Sequence, residues 1–126
     1  MGILESALPV IVICTRDRAR ATAFYRDVLG LPFVHEDAFA SVFRVGGIAL
    51  RISTVPDFTP HEHTILGLHV PDVRASVLAL RENSVTFNRY AHVKQDDLGI
   101  CTLNEGAIQV AWLSDPDGNV LSITNV

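Results

Sequence analysis

The stretch Asp17–Leu31, DRARATAFYRDVLGL, decides the fold. Ala21, Phe24, Tyr25, Val28 and Leu29 recur at helical spacing, so the segment carries one apolar stripe among polar positions. Asp17 is suited to cap the start of that helix, and Gly30 follows its last apolar turn as a stop signal. Upstream, Val10-Ile11-Val12-Ile13-Cys14 is a β-branched apolar run, which predicts a strand leading into the helix. Downstream come three short alternating segments at about Leu31–His35, Phe39–Val45 and Ile48–Ser53, with Gly46-Gly47 as a hairpin turn between the last two. This half reads βαβββ.

The same order returns after the Pro-marked stretch Pro56-Asp57-Phe58-Thr59-Pro60. Ile65–Val70 reads as a strand and Asp72 as the cap of a second helix. Val73, Val77, Leu78 and Leu80 form its apolar side, and Asn83-Ser84 stands at its stop, Asn tolerating the left-handed conformation. Strands at about Val85–Tyr90, Ala107–Leu113 and Val120–Thr124 complete the half. Superposing Asp17 on Asp72 places Val10 on Ile65 and Thr15 on Val70, so both strand-to-helix units coincide. The expectation is one α+β domain over 1–126 built from two tandem βαβββ modules, about 7–55 and 63–126, joined by a linker at about 56–62.

A chain of 126 residues with 48% hydrophobic content can bury a continuous core. Its net charge is −4, and its basic residues, nine Arg and Lys94, are scattered, which argues against a nucleic-acid partner. Cys14 and Cys101 stand apart with no metal-binding spacing, so neither a disulfide framework nor a zinc finger is indicated and a reducing, cytoplasmic setting is expected. Apolar runs are strand-length, which predicts no membrane partner.

Two fragments are specific. Asp17–Leu31 resembles the D…FY…LG-L helix of the glyoxalase/bleomycin-resistance/extradiol-dioxygenase (vicinal oxygen chelate) superfamily, and Ala111–Ser122, AWLSDPDGNVLS, resembles its DPDGN turn between the last two strands. The turn also has a simple physical reading: Pro116 sets a backbone angle, Gly118 supplies positive φ, and Asp and Asn side chains satisfy turn amides. The resemblance implies a curved mixed sheet enclosing a ligand cup, and a homodimer. It also implies a metal-ligand position on the first and last strand of each module. Those positions fall at Val10, at or next to Arg51, at Ile65 and at Ser122. Val and Ile cannot ligate, Arg carries a fixed positive charge without a lone pair, and a neutral Ser is a poor ligand. No metal and no other cofactor is therefore expected. His61-x-His63 shares a face in an extended segment, but His69 lies roughly 20 Å further along, too far to share one ion with them.

Strand alternation from Val10 and Ile65 puts Cys14, Arg51, His63, His69 and Ser122 on the implied cup face, an apolar lining with sparse polar groups. Arg51 is placed there either as a clamp for a carboxylate or phosphate, or at an exposed strand end, or paired with an acid across the implied dimer. Trp112 stacks on a planar ligand or packs in the core with Ile108 and Val110. Phe43 and Phe58 carry the same two readings. Two function classes follow from the resemblance: metal-independent binding of a small molecule, anionic or aromatic, or a lyase, isomerase or dioxygenase with a non-standard site. Arg51, His69, His63, Ser122, Cys14 and Trp112 are the candidate ligand contacts, and no catalytic residue is assigned.

Overall fold

Asp17 and Asp72 both cap helices. Each adopts extended backbone, and its carboxylate accepts from an amide three residues on, Arg20 at 3.2 Å and Ala75 at 3.0 Å. The computed structural model describes residues 2–126; Met1, the first residue of the predicted domain, lies outside the described residues. The chain divides between Phe58 and Thr59 into two compact units.

In the first unit, strand β1 (Val10–Thr15) leads into α1 (Arg18–Ala23), followed by β2 (Phe33–Glu36), β3 (Ala40–Val45) and β4 (Ile48–Thr54). The sheet order is β1-β4-β3-β2, with β1 and β4 parallel and the other pairs antiparallel. The predicted first helix is not uniform. Phe24–Val28 forms a π turn, closed by the Leu29 amide reaching the Phe24 carbonyl at 3.0 Å. The wider turn rephases the side chains after Ala23 and leaves Tyr25 fully buried, with its ring 6.2 Å from that of Phe43. Ile13, Tyr25, Phe43, Leu50 and Ile52 are all at most 1% exposed and form the core of this unit, each contributing about 1.5–3 kcal/mol by burial. Phe43 is thus core, while Phe58 lies under the Arg16 guanidinium at 5.3 Å. Gly46 and Gly47 both have positive φ, as the predicted hairpin requires. Strand β2 begins at Phe33 rather than at the expected Leu31, since Pro32 has no amide to give the ladder.

The turn between β2 and β3 is built on Asp37. One carboxylate oxygen accepts from the Phe39 and Ala40 amides, both at 2.9 Å, and the other accepts from Arg51 Nη2 on β4 at 2.8 Å. The Phe39 amide first, and the Arg51 guanidinium after it, hold the Asp37 carboxyl well below the usual range, at about 2.

The second unit runs β5 (Thr64–His69), α2 (Val73–Glu82), β6 (Cys101–Leu103), β7 (Ile108–Ser114) and β8 (Val120–Thr124), in sheet order β5-β8-β7-β6, again with its first and last strands parallel. Val73, Val77, Ala111, Leu113, Leu121 and Ile123 are its core, lying on α2 and on the alternate positions of β7 and β8.

Two expectations fail here. The left-handed residue after α2 is Ser84 (φ 70), not Asn83. The predicted strand Val85–Tyr90 is absent apart from a single bridge, Phe87 with Leu113; the third strand of the unit is Cys101–Leu103. The free edge of β7 is shared in series, with Cys101–Leu103 along Ile108–Val110 and then Phe87 and Asn88 beside Leu113 and Trp112. Beyond that point a side chain replaces a strand partner: Gln95 accepts from the Tyr90 amide at 2.9 Å and donates to the Asn88 and Gly99 carbonyls at 2.8 Å. Arg89 adds hydrogen bonds to the Asp96 and Asp97 carbonyls.

The β7–β8 turn closes on the Asp115 carboxylate, which is 5% exposed. It accepts from the Asp117 and Asn119 amides and from Asn119 Nδ2, each at 2.9 Å. Gly118 (φ 96) completes the turn; a Cβ there would come within 3.2 Å of Pro60 Cγ.

Two outcomes follow. Asp115→Ala removes the acceptor of three buried hydrogen bonds and should cost about 3 kcal/mol in urea denaturation, whereas Asp115→Asn, which keeps an acceptor, should cost clearly less. Asp37 has its pKa depressed in the folded state, so its contribution to stability is present above about 4 and disappears as the pH falls through about 2. Carboxyl NMR titration should show Arg51→Gln raising the Asp37 pKa only part of the way to the usual value, since the Phe39 and Ala40 amides remain.

Candidate functional site

The register of the second sheet sets one row of side chains across its face away from the core: Gly67 opposite Ser122, and Ser122 opposite Trp112. Gly67 packs closely there, since a Cβ would lie 3.2 Å from Ser122 Oγ. Trp112 is half-buried, while its neighbours Ala111 and Leu113 are fully buried, so the indole is not part of the core.

Trp112 instead meets Tyr90 edge-on, ring centroids 5.5 Å apart and planes at 80°, and Tyr90 lies 6.1 Å from His92. Together with Val93 and Val120 they wall a cavity of ≈ 290 Å³ whose rim carries Glu62 and His63. An adjoining cavity of ≈ 600 Å³ shares Glu62, Tyr90, His92 and Val120 and extends to Pro60, His61 and Ser114. The two make one open groove within the second unit. His61 and His63 stack along it at 4.9 Å with planes at 25°, as an extended i, i+2 pair can. Asn88 ties the groove wall to the sheet, its Nδ2 donating to Tyr90 Oη at 3.1 Å and Ser114 Oγ at 3.0 Å. Among the lining residues, Glu62 is the one carboxylate, beside the imidazoles of His61, His63 and His92.

Of the residues singled out from sequence, Trp112 and His63 meet in this groove, and Ser122 is buried beside Trp112 in the same row. His69 lies at the end of β5 opposite Thr124 and is exposed. A register shift between Thr64 and Leu66 puts Thr64, not Ile65, opposite Val120. Cys14 and Arg51 belong to the first unit, where Arg51 stands in a row with Val12 and Val42 and Cys14 stands opposite Ser53. Arg51 is about one-third exposed and has given one arm to Asp37. Tyr90 and His92 were missed as site residues. Tyr90 read as a strand residue, and the isolated Tyr-x-His spacing carries no period that marks a groove wall.

The metal positions implied by the resemblance do not fit an ion. Val10 and Ile65 offer hydrocarbon, Arg51 offers a cation already paired with Asp37, and Ser122 a neutral hydroxyl. Among the described residues, no three His, Cys, Asp or Glu side chains gather where they could hold an ion. No helix among them is long and apolar enough to cross a membrane.

No curated protein matches the chain. Several solved structures share its fold. A lactoylglutathione lyase from Agrobacterium tumefaciens is similar with a TM-score of 0.71 at 17% identity, over 94% of this chain and 92% of that one. A glyoxalase/bleomycin resistance protein/dioxygenase from Alicyclobacillus acidocaldarius gives 0.71 at 18% identity over 94% and 90%. A bleomycin-binding protein in complex with bleomycin gives 0.70 at 21% identity over 96% and 99%. The family model described as Glyoxalase/Bleomycin resistance protein/Dioxygenase superfamily matches residues 7–123. With that match spanning both βαβββ units, their paired helix caps and the Asp115–Asn119 turn, the chain belongs to the glyoxalase/bleomycin resistance protein/dioxygenase superfamily.

Proposed function

We propose that this protein binds a planar aromatic small molecule, neutral or cationic, in the groove of its second unit and needs no metal ion to do so. The observation that carries the reading is Trp112, held half-buried and edge-on to Tyr90 over a cavity whose lining has one carboxylate, Glu62. Aromatic faces contribute affinity by stacking, and a lone carboxylate on the rim favours a positive charge on the ligand. A cavity of this size lies within the range that small ligands occupy. The bleomycin-binding relative supports the same class of activity. An anionic ligand clamped by Arg51 has less support, since Asp37 already holds that guanidinium.

Metal independence rests on the donor sets at Val10, Arg51, Ile65 and Ser122. A homodimer belongs to the same proposal, supported by Val10 and Val12, which are 53% and 60% exposed on the edge strand β1. A cytoplasmic setting is supported by the two free cysteines.

Trp112 is the only Trp, so its fluorescence reports the groove alone. Titration with proflavine and with bleomycin should give saturable quenching in at least one case, unchanged by chelator. Trp112→Leu, followed by calorimetry, should weaken binding about tenfold. Glu62→Gln should weaken a cationic probe only about two- to threefold, because the carboxylate is exposed and screened. Absence of saturable binding across planar probes, or binding that chelation abolishes, overturns the reading.

A further inference from the structure

The segment that walls the aromatic groove has a second side. Asn88 and Tyr90 line the groove, whereas Phe87 and Arg89 line a separate cavity of ≈ 390 Å³ beside the C-terminus of α2. The floor of this cavity is apolar, made by the buried Phe87 and Leu98. Its rim is polar and exposed, with Arg81 from the last turn of α2, Ser84, Thr86, Arg89 and Asp97.

The two guanidiniums on the rim differ from others in the chain. Arg51 and Arg26 are paired with the carboxylates of Asp37 and Asp27. Arg89 donates only to the backbone carbonyls of Asp96 and Asp97, neutral acceptors that fix its plane without cancelling its charge. Arg81 makes no hydrogen bond or ion pair through its side chain among the described residues. Asp97 shares the rim but pairs with neither. Two of the C-terminal carbonyls of α2, which would repel an anion, are already occupied. Leu80 accepts from the Asn83 and Val85 amides, and Arg81 accepts from the Ser84 amide.

We propose that this cavity is a second ligand site, for a small amphipathic anion: a carboxylate or phosphate ester whose charged end takes the Arg81 and Arg89 forks and whose short apolar end rests on Phe87 and Leu98. Planar guanidiniums match both kinds of oxyanion, and the Ser84 and Thr86 hydroxyls add donors at the same rim. The site is independent of the aromatic groove and of what the groove binds.

The full chain, labelled with ¹⁵N, is titrated with phenyl phosphate, benzoate and inorganic phosphate. Phenyl phosphate or benzoate should shift the amides of Ser84, Thr86, Phe87 and Leu98 saturably, and inorganic phosphate, with nothing to place on the floor, should bind more weakly. Arg81→Gln, which removes a side chain that holds no part of the fold together, should weaken the tighter of the two aromatic anions about tenfold, and Arg81→Lys should fall between. Three results overturn the proposal: no saturable shift at about 10 mM probe, an affinity well below that of ordinary small ligands; saturable shifts confined to Tyr90, Trp112 and Ser114; or unchanged affinity in Arg81→Gln. Equal affinity for phenyl phosphate and inorganic phosphate overturns the amphipathic class.

Discussion

Each unit is governed by one constraint, the parallel pairing of its first strand with its last. Two parallel strands cannot be joined by a tight hairpin, so the chain must cross over between them, and here the crossover contains a helix and two further strands. The helix covers one face of the sheet, which becomes the core through Leu50 and Ile52 in one unit and Leu113 and Leu121 in the other. The two intervening strands must then pair on the far edge of the last strand, giving the orders β1-β4-β3-β2 and β5-β8-β7-β6. The face that bears no helix receives the alternate side chains: Val12 and Arg51 in the first sheet, Gly67, Ser122 and Trp112 in the second.

What fixes the last strand therefore fixes the site. In the second unit this is the Asp115 carboxylate, whose two oxygens hold the turn that sets β8 against β7. A slip of one residue there would carry Trp112 to the core side and Leu113 to the groove. The same turn approaches Pro60, so the segment carrying His61 and His63 is placed by the element that sets the strand register.

The strand-to-helix units were legible because their signals are local and chemically distinct: a β-branched run, a capping Asp, then apolar residues at helical spacing. The Asp115–Asn119 turn was legible for the same reason. The segment Val85–Tyr90 was not. Its Val, Thr, Phe and Tyr have high β-propensity, yet propensity does not say whether an edge is free, and the Ile108–Val110 part of the β7 edge is taken by Cys101–Leu103. The stapling by Gln95 depends on one side chain five residues from Tyr90, a contact that no periodicity reveals. Much of the groove was hidden with it, since Tyr90 and His92 reach the site only because their segment leaves the sheet. The pairing of Arg51 with Asp37 was hidden differently: an acid partner was expected across a dimer, not in the adjacent turn of the same sheet.

These misreadings bear on the chemistry. Read as a regular strand, Val85–Tyr90 would be one more edge of a sheet with alternating sides. As an irregular segment held by side chains at Asn88, Arg89 and Gln95, it has freedom in sequence that a ladder would deny, because its backbone groups are satisfied wherever a suitable donor or acceptor reaches them. A scaffold with fixed strands and one such segment can change what it binds without changing its fold, which is why membership of this superfamily does not by itself name a ligand. In this chain the segment carries the Tyr90 ring toward one cavity and the Phe87 ring and Arg89 guanidinium toward another. The fixed sheet beneath it contributes the rest, a Trp and a buried Ser in register with a closely packed glycine.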